Sequence, residues 1–166
     1  RSFTSRNFKI VGESGHVYGY GKSVWAMIDL DTRHPADILA VRGGLITEYI
    51  ETEYPCPIEK SSRVKLSVGA TPIRSIDTYY NDVDINGHIN SVKYIEHVLD
   101  LWDVSWYKQH RIKRFEIAYV AESHQGDRLH FYREGRCSDT DFNVRITKSN
   151  RDSEEVEVCR CRVQFV

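Results

Sequence analysis

The chain lacks any apolar run that could cross a membrane. Val24 to Ile28 is among its longest, and a spanning helix needs about twenty such residues. It also lacks a charge excess: 23 basic against 24 acidic residues leave a net charge of −1. Nucleic-acid binders carry a clear basic surplus, so that class is disfavoured. There is no low-complexity segment. The four cysteines, Cys56, Cys137, Cys159 and Cys161, include no Cys-x-x-Cys pair, which removes a zinc knuckle. Cys159 and Cys161 lie two apart in a strand-like segment, so they point the same way and are poorly placed to bridge each other. This usage predicts a reduced, cytoplasmic protein. The first residue is Arg1, in a stretch that already reads as strand; the expectation is a natural beginning further upstream. What remains is an ordinary globular composition, 166 residues and 40% hydrophobic, enough for one good core.

Two parts are legible along the chain. Residues 2–11 and 16–31 read as a hairpin joined at Glu13-Ser14-Gly15. Pro35 opens a short helix, Ala36 to Val41, ended by Gly43-Gly44. No apolar pattern of helical period lasting three turns occurs before Glu51, so residues 1–50 should hold no long central helix. Residues 51–71, with Pro55 and Pro57 and few periodic apolar positions, read as a linker. From 72 to 166 the pattern is fuller. A strand over Ile73 to Tyr80 precedes a helix over Ser91 to Trp102, whose Val92, Ile95, Val98, Leu99 and Trp102 recur at spacings of three and four. Val92, Ile95, Leu99 and Trp102 are expected inside; Lys93, Glu96 and Asp100 outside. Strands follow near 112–123, 127–136, 140–148 and 154–166. Phe142, Val144 and Ile146 alternate with Asn143, Arg145 and Thr147, as in a half-buried antiparallel strand. The last strand changes phase between Val158 and Cys159, which predicts a bulge near Val158. One helix followed by an antiparallel sheet is an α+β layer pattern. A sheet wrapped around that helix is the hotdog arrangement.

The richest stretch is Asp84-Ile85-Asn86-Gly87-His88-Ile89-Asn90, a polar loop that opens the helix. Donors at a helix N-terminus suit a carbonyl gaining negative charge. Two other readings fail. Asp82-x-Asp84-x-Asn86-Gly87 begins like an EF-hand loop, but its twelfth position is Lys93, where a bidentate glutamate is required. Gly21-Lys22-Ser23 ends like a phosphate loop, but the glycine needed five residues earlier is His16. A plain turn accounts for Asp84, Asn86, Gly87 and Asn90 and leaves His88 without a reason.

The loop resembles that of the acyl-acyl carrier protein thioesterases. That family carries Asp-x-Asn-x-His-x-Asn at the start of the helix of its second hotdog domain, with a tyrosine shortly after; here these are Asp84, Asn86, His88, Asn90 and Tyr94. Downstream, Phe115-Glu116-Ile117-Ala118-Tyr119-Val120-Ala121-Glu122-Ser123 matches a strand leading to the family's catalytic glutamate, at Glu122. Upstream, Arg6-Asn7-Phe8, Ser23-Val24-Trp25-Ala26-Met27 and Asp31-Thr32-Arg33 resemble the end of the first hotdog domain. Pro55-Cys56-Pro57-Ile58 resembles the linker of bacterial members. Many plant members have a cysteine after the glutamate, where this chain has Ser123.

The resemblance implies one complete hotdog domain, the C-terminal part of a preceding one, and hydrolysis of fatty acyl-[acyl carrier protein]. Glu122 would be the general base toward water. His88 would orient the water or the thioester and pass protons. Asn86 would hold the carbonyl or the water, and Asp84 would fix the loop. Backbone N–H groups near Gly87 and His88 would complete an oxyanion site. No metal or cofactor is required, and the partner is an acidic acyl carrier protein, steered by Lys108, Arg111, Lys113 and Arg114, with His110 beside them. Neither nucleic acid nor a membrane span is implied, and a homo-oligomer is among the states allowed. Taken singly, Glu122 reads as a solvated strand-end charge and Ser123 as a turn residue; only the joint pattern points to catalysis. The alternatives are a hotdog thioesterase for acyl-coenzyme A and a non-catalytic lipid-binding or truncated hotdog module.

Overall fold

The structure, a computed structural model, describes residues 2–150 and 154–166. The chain forms two compact units, 1–60 and 61–166. In the first, β1 (Phe3–Val11) and β2 (Val17–Ala26) pair antiparallel. The turn between them closes through Gly15 N–H to the Gly12 carbonyl. The helix expected over 36–41 is instead a 3-10 segment, Ile38–Tyr49, started by the Asp37 carboxylate accepting from Leu39 N–H and interrupted at Val41 to Gly44. Gly43 and Gly44 have φ of 65° and 81°, a region where glycine avoids a Cβ clash. Among the described residues of 1–50 there is no long central helix, as expected.

The second unit is built on five antiparallel strands in the order β3-β5-β6-β7-β4. They are β3 (Arg74–Asp77), β4 (Ile112–Tyr119), β5 (Arg128–Gly135), β6 (Asp141–Ser149) and β7 (Val156–Phe165). β3 is shorter than the strand expected over 73–80. The helix is also shorter. α1 runs Ser91–Leu99, and Asp103 caps a separate α2, Val104–Gln109, by accepting from Trp106 N–H at 2.8 Å. That cap ends the single helix expected through Trp102.

The buried face of α1 is rotated from the one expected. Tyr94 and Val98 are buried with Trp102 beyond the helix, at intervals of four, whereas Ile95 and Leu99 are half-buried and Val92 is 52% exposed. Glu96 and Asp100 are exposed as expected, and Lys93 is half-exposed. A count of aliphatic positions passes over Tyr94, whose ring is as apolar as its neighbours. This face packs on Leu129, Phe131, Val144, Ile146, Cys159, Cys161, Val163 and Phe165. Trp102 meets Phe142 and Phe165 edge-on, at ring-centre distances of 5.1 and 5.0 Å, and so belongs to the core. Phe131→Ala is expected to cost about 3–5 kcal/mol, while Val92→Ala should change stability by less than about 0.5 kcal/mol. Urea unfolding of the two variants checks the assignment; equal losses would mean the helix face is wrong.

Residues 61–67, expected as linker, lie instead across the sheet's outer face within the second unit. The Glu116 carboxylate accepts from Ser62 N–H and Oγ–H. Asn143 donates to the Lys65 carbonyl at 2.9 Å, Arg136 to the Arg63 carbonyl, and Ser67 N–H to Glu134. Side chains alternate along this strap, with Ser62, Val64 and Leu66 half-buried and Arg63 and Lys65 exposed. A second departure is that Asn143 and Thr147, expected in solvent, are buried, Asn143 beneath the strap and Thr147 against Glu155. β6 is therefore covered on both faces. Asn143 donates to the Lys65 carbonyl and the Thr147 hydroxyl to Glu155, while the buried Arg145 Nε has no hydrogen-bond partner among the described residues.

The expected bulge is present. Ile146 pairs with Cys159 and Thr147 with Glu157, leaving Val158 as the extra residue. The Val158 carbonyl accepts from Val120 N–H at 2.8 Å and from Ala121 N–H at 3.4 Å. The ladder of β4 ends at Tyr119 opposite Cys159, and the chain then bends toward the loop at 84–90.

Candidate active site

That loop is a tight turn organised by one carboxylate. Asp84 Oδ1 accepts from Asn86 N–H at 2.8 Å and from His88 N–H at 3.2 Å. Asp84 N–H donates to the His88 carbonyl, and Gly87 N–H to the Asp84 carbonyl. Gly87 has φ of 82°, a conformation other residues avoid. Partial desolvation raises the Asp84 carboxyl, but the N–H groups of Asn86 and His88 outweigh it and hold the group below the ordinary aspartate value. Asn90 then caps α1, accepting from Val92 N–H at 3.0 Å.

The bend after β4 is stitched to this turn by Ile89 N–H donating to the Ser123 carbonyl at 2.8 Å. The two segments thereby bring His88 Nε2 to 3.3 Å from Glu122 Oε2, both side chains partly exposed. An imidazole and a carboxylate in contact, open to water, can relay protons. Asn86 stands on the exposed rim of the same turn. Ser123 faces the other way: it is 0% exposed. Its hydroxyl neighbours the Tyr94 phenol, which burial pushes up to about 12 while Ser123 pulls it the other way. Neither hydroxyl reaches hydrogen-bonding geometry with another described group. Burial also pushes up the Cys159 thiol, and the Cys161 thiol to about 12. These buried sulfurs are poor nucleophiles.

Two expectations need correction. The Gly87 and His88 N–H groups do not form a free oxyanion site, because both donate into the turn, to the Asp84 carbonyl and carboxylate. The basic cluster also divides. Arg114 pairs with Glu116 at 2.7 Å, and the ring of His110 stacks on Trp106 at 3.8 Å. Lys108, Arg111 and Lys113 are the members exposed to solvent. One residue was missed. His124 meets the His88 ring edge-on at 5.1 Å. Its signal was strand-like alternation, which gives residues 122 and 124 the same side.

Comparison with known proteins gives this geometry a context. The model of the acyl-ACP thioesterase C-terminal domain matches residues 67–165, more than half of the chain. Palmitoyl-acyl carrier protein thioesterase of Gossypium hirsutum is 25% identical over 161 residues, covering 92% of this chain and 39% of that protein. Dodecanoyl-[acyl-carrier-protein] hydrolase of Cinnamomum camphora is 32% identical over 119 residues, covering 66% of this chain and 30% of that protein. The chain thus spans well under half of these curated relatives. An acyl-ACP thioesterase from Bacteroides thetaiotaomicron superposes with a TM-score of 0.87 at 47% identity, over 100% of this chain and 64% of that one. The 12:0-ACP thioesterase of Umbellularia californica, at 20% identity and a TM-score of 0.78, covers 99% of this chain and 63% of that one and shares the fold. With a family model matched across the segment that carries both the turn at 84–90 and Glu122, the chain belongs to the acyl-ACP thioesterase family through its C-terminal domain.

Proposed function

We propose that the protein hydrolyses fatty acyl-[acyl carrier protein], and that its second unit is the hotdog domain that carries the chemistry. The observation that carries this reading is the His88–Glu122 contact at 3.3 Å, inside the segment matched by the family model. Residues 1–50 are then the end of a preceding hotdog domain. The wide exposure of Phe3, Tyr18, Val24 and Trp25 along the hairpin supports that reading, since large apolar side chains seldom stand so densely in water.

In this mechanism Glu122 takes a proton from water as the oxygen attacks the thioester carbonyl carbon. The Asn86 side-chain amide donates to the developing oxyanion. The carbon–sulfur bond then breaks, and the proton reaches the leaving thiolate through His88. The products are the fatty acid and the carrier thiol. Asp84 acts as a positioning residue, holding Asn86 and His88 through their backbone N–H groups. The buried, unbridged Cys159 and Cys161 support a reducing, cytoplasmic setting. Among the described residues no helix is long and apolar enough to cross a membrane.

The test is hydrolysis of one panel of acyl chains offered on acyl carrier protein and on coenzyme A. Preference for the carrier is expected; equal rates on both would favour a general acyl-thioesterase. The exposed Lys108 and Lys113 bear on the same choice. Reversing both charges should raise the apparent KM for carrier-bound substrate, more at low salt. An equal rise with acyl-coenzyme A would mean that the site itself is damaged.

A further inference from the structure

The hydrolytic reading leaves His124 unused, yet the fold holds it in place. Its N–H donates to Asp127 Oδ2 at 2.9 Å, and its carbonyl accepts from Thr78 Oγ1 at 3.0 Å. Its ring meets that of His88, which in turn lies against Glu122. One ligand-type atom from each of His88, Glu122 and His124 lies within 4.8 Å of the other two. Two imidazoles and a carboxylate are the donor set of borderline divalent cations such as Zn2+. Around a tetrahedral ion at about 2.0–2.1 Å, donors sit roughly 3.4 Å apart. The trio need close by little more than an ångström, a rotamer adjustment open to partly exposed side chains. The backbone that carries the ligands is already fixed, by the Ile89–Ser123 bond and the Asp84 turn. Water would fill the fourth position.

We propose that His88, Glu122 and His124 form a reversible binding site for a divalent transition-metal ion, Zn2+ above all, and that the bound ion silences the enzyme. Coordination ties up the Glu122 carboxylate and the His88 lone pair, so neither can handle a proton. Binding is independent of the enzyme's substrate; only the inhibitory consequence rests on the hydrolytic reading.

The experiment uses metal-free full-length chain titrated with Co2+ and then with Zn2+. The expected result is the visible absorption of four-coordinate cobalt, displaced by Zn2+. His124→Ala and His124→Gln should each weaken Zn2+ binding by at least about tenfold, as loss of a direct ligand requires. Circular dichroism confirms that both variants are folded, and His16→Ala serves as a histidine control. Absence of a four-coordinate spectrum, or unchanged Zn2+ affinity in both His124 variants, overturns the site. Thioester hydrolysis is measured in parallel with and without Zn2+. Tight binding with undiminished turnover overturns the inhibitory role while the site stands. Tight binding by a chain with no turnover under any condition leaves the site standing and removes the hydrolytic reading.

Discussion

On the proposed mechanism, Glu122→Gln should lower the turnover of carrier-bound thioester by roughly 10²–10⁴-fold. The amide keeps the shape and the neighbour, since Glu122 stands 3.3 Å from His88, but it cannot accept the proton of an attacking water. His88→Ala should be similarly severe. Ser123→Ala should change turnover by less than about tenfold, as for a hydroxyl with no part in the chemistry. Ser123 is sealed beneath α1 with its carbonyl tied to Ile89, and an alkoxide there would have no path to substrate. Steady-state kinetics of the three variants decides between mechanisms. If Ser123→Ala abolished turnover while Glu122→Gln retained it, or if an acyl-serine were trapped at position 123, a nucleophilic mechanism would replace the one proposed.

Asp141→Asn should destabilise the second unit by about 3 kcal/mol at neutral pH, as expected when one member of a largely buried ion pair is removed. Arg162 grips Asp141 with two parallel hydrogen bonds, 2.9 and 2.7 Å, and also reaches Glu116 and the Ser62 hydroxyl. The loss therefore spreads to the strap. The Arg162 hydrogen bonds hold the Asp141 carboxyl below its ordinary value in the folded state. Its contribution is whole above the unfolded value of about 3.9 and fades as pH falls through the depressed folded value. The gap between wild type and variant, measured by urea unfolding, should shrink steadily below about pH 4. A gap that stayed constant with pH would assign the loss to packing instead.

Local pattern was readable where it is strictly local. The alternation of Phe142, Val144 and Ile146 located β6, and the changed phase beyond Val158 located the bulge. The loop composition led to the His88–Glu122 pair, although their contact spans thirty-four positions, because the resemblance supplied what spacing could not. Other features depend on atoms that a linear pattern does not carry. Whether the N–H groups of Gly87 and His88 face substrate or turn back onto Asp84, to its carbonyl and its carboxylate, is decided by the turn's dihedral angles. The strap could not be read because Ser62, Lys65 and Ser67 find their partners on strands far along the chain. The helix face differs from the expected one because a count of aliphatic positions omits Tyr94, although its ring lies in the core.

The surplus residue at Val158 has a consequence for the kinds of change this chain can accept. β7 obeys two parities, one before that residue and one after it, and each is correct for its own neighbours. Shortening the strand by one residue there would merge the two. Glu157 would still stand opposite Thr147 and Cys159 opposite Ile146, but the carbonyl on which Val120 and Ala121 hang would be lost. The site is thus sensitive to a count: many apolar side chains could occupy position 158, but none of them can be omitted, and an indel harmless in a surface loop would here detach Glu122 from His88.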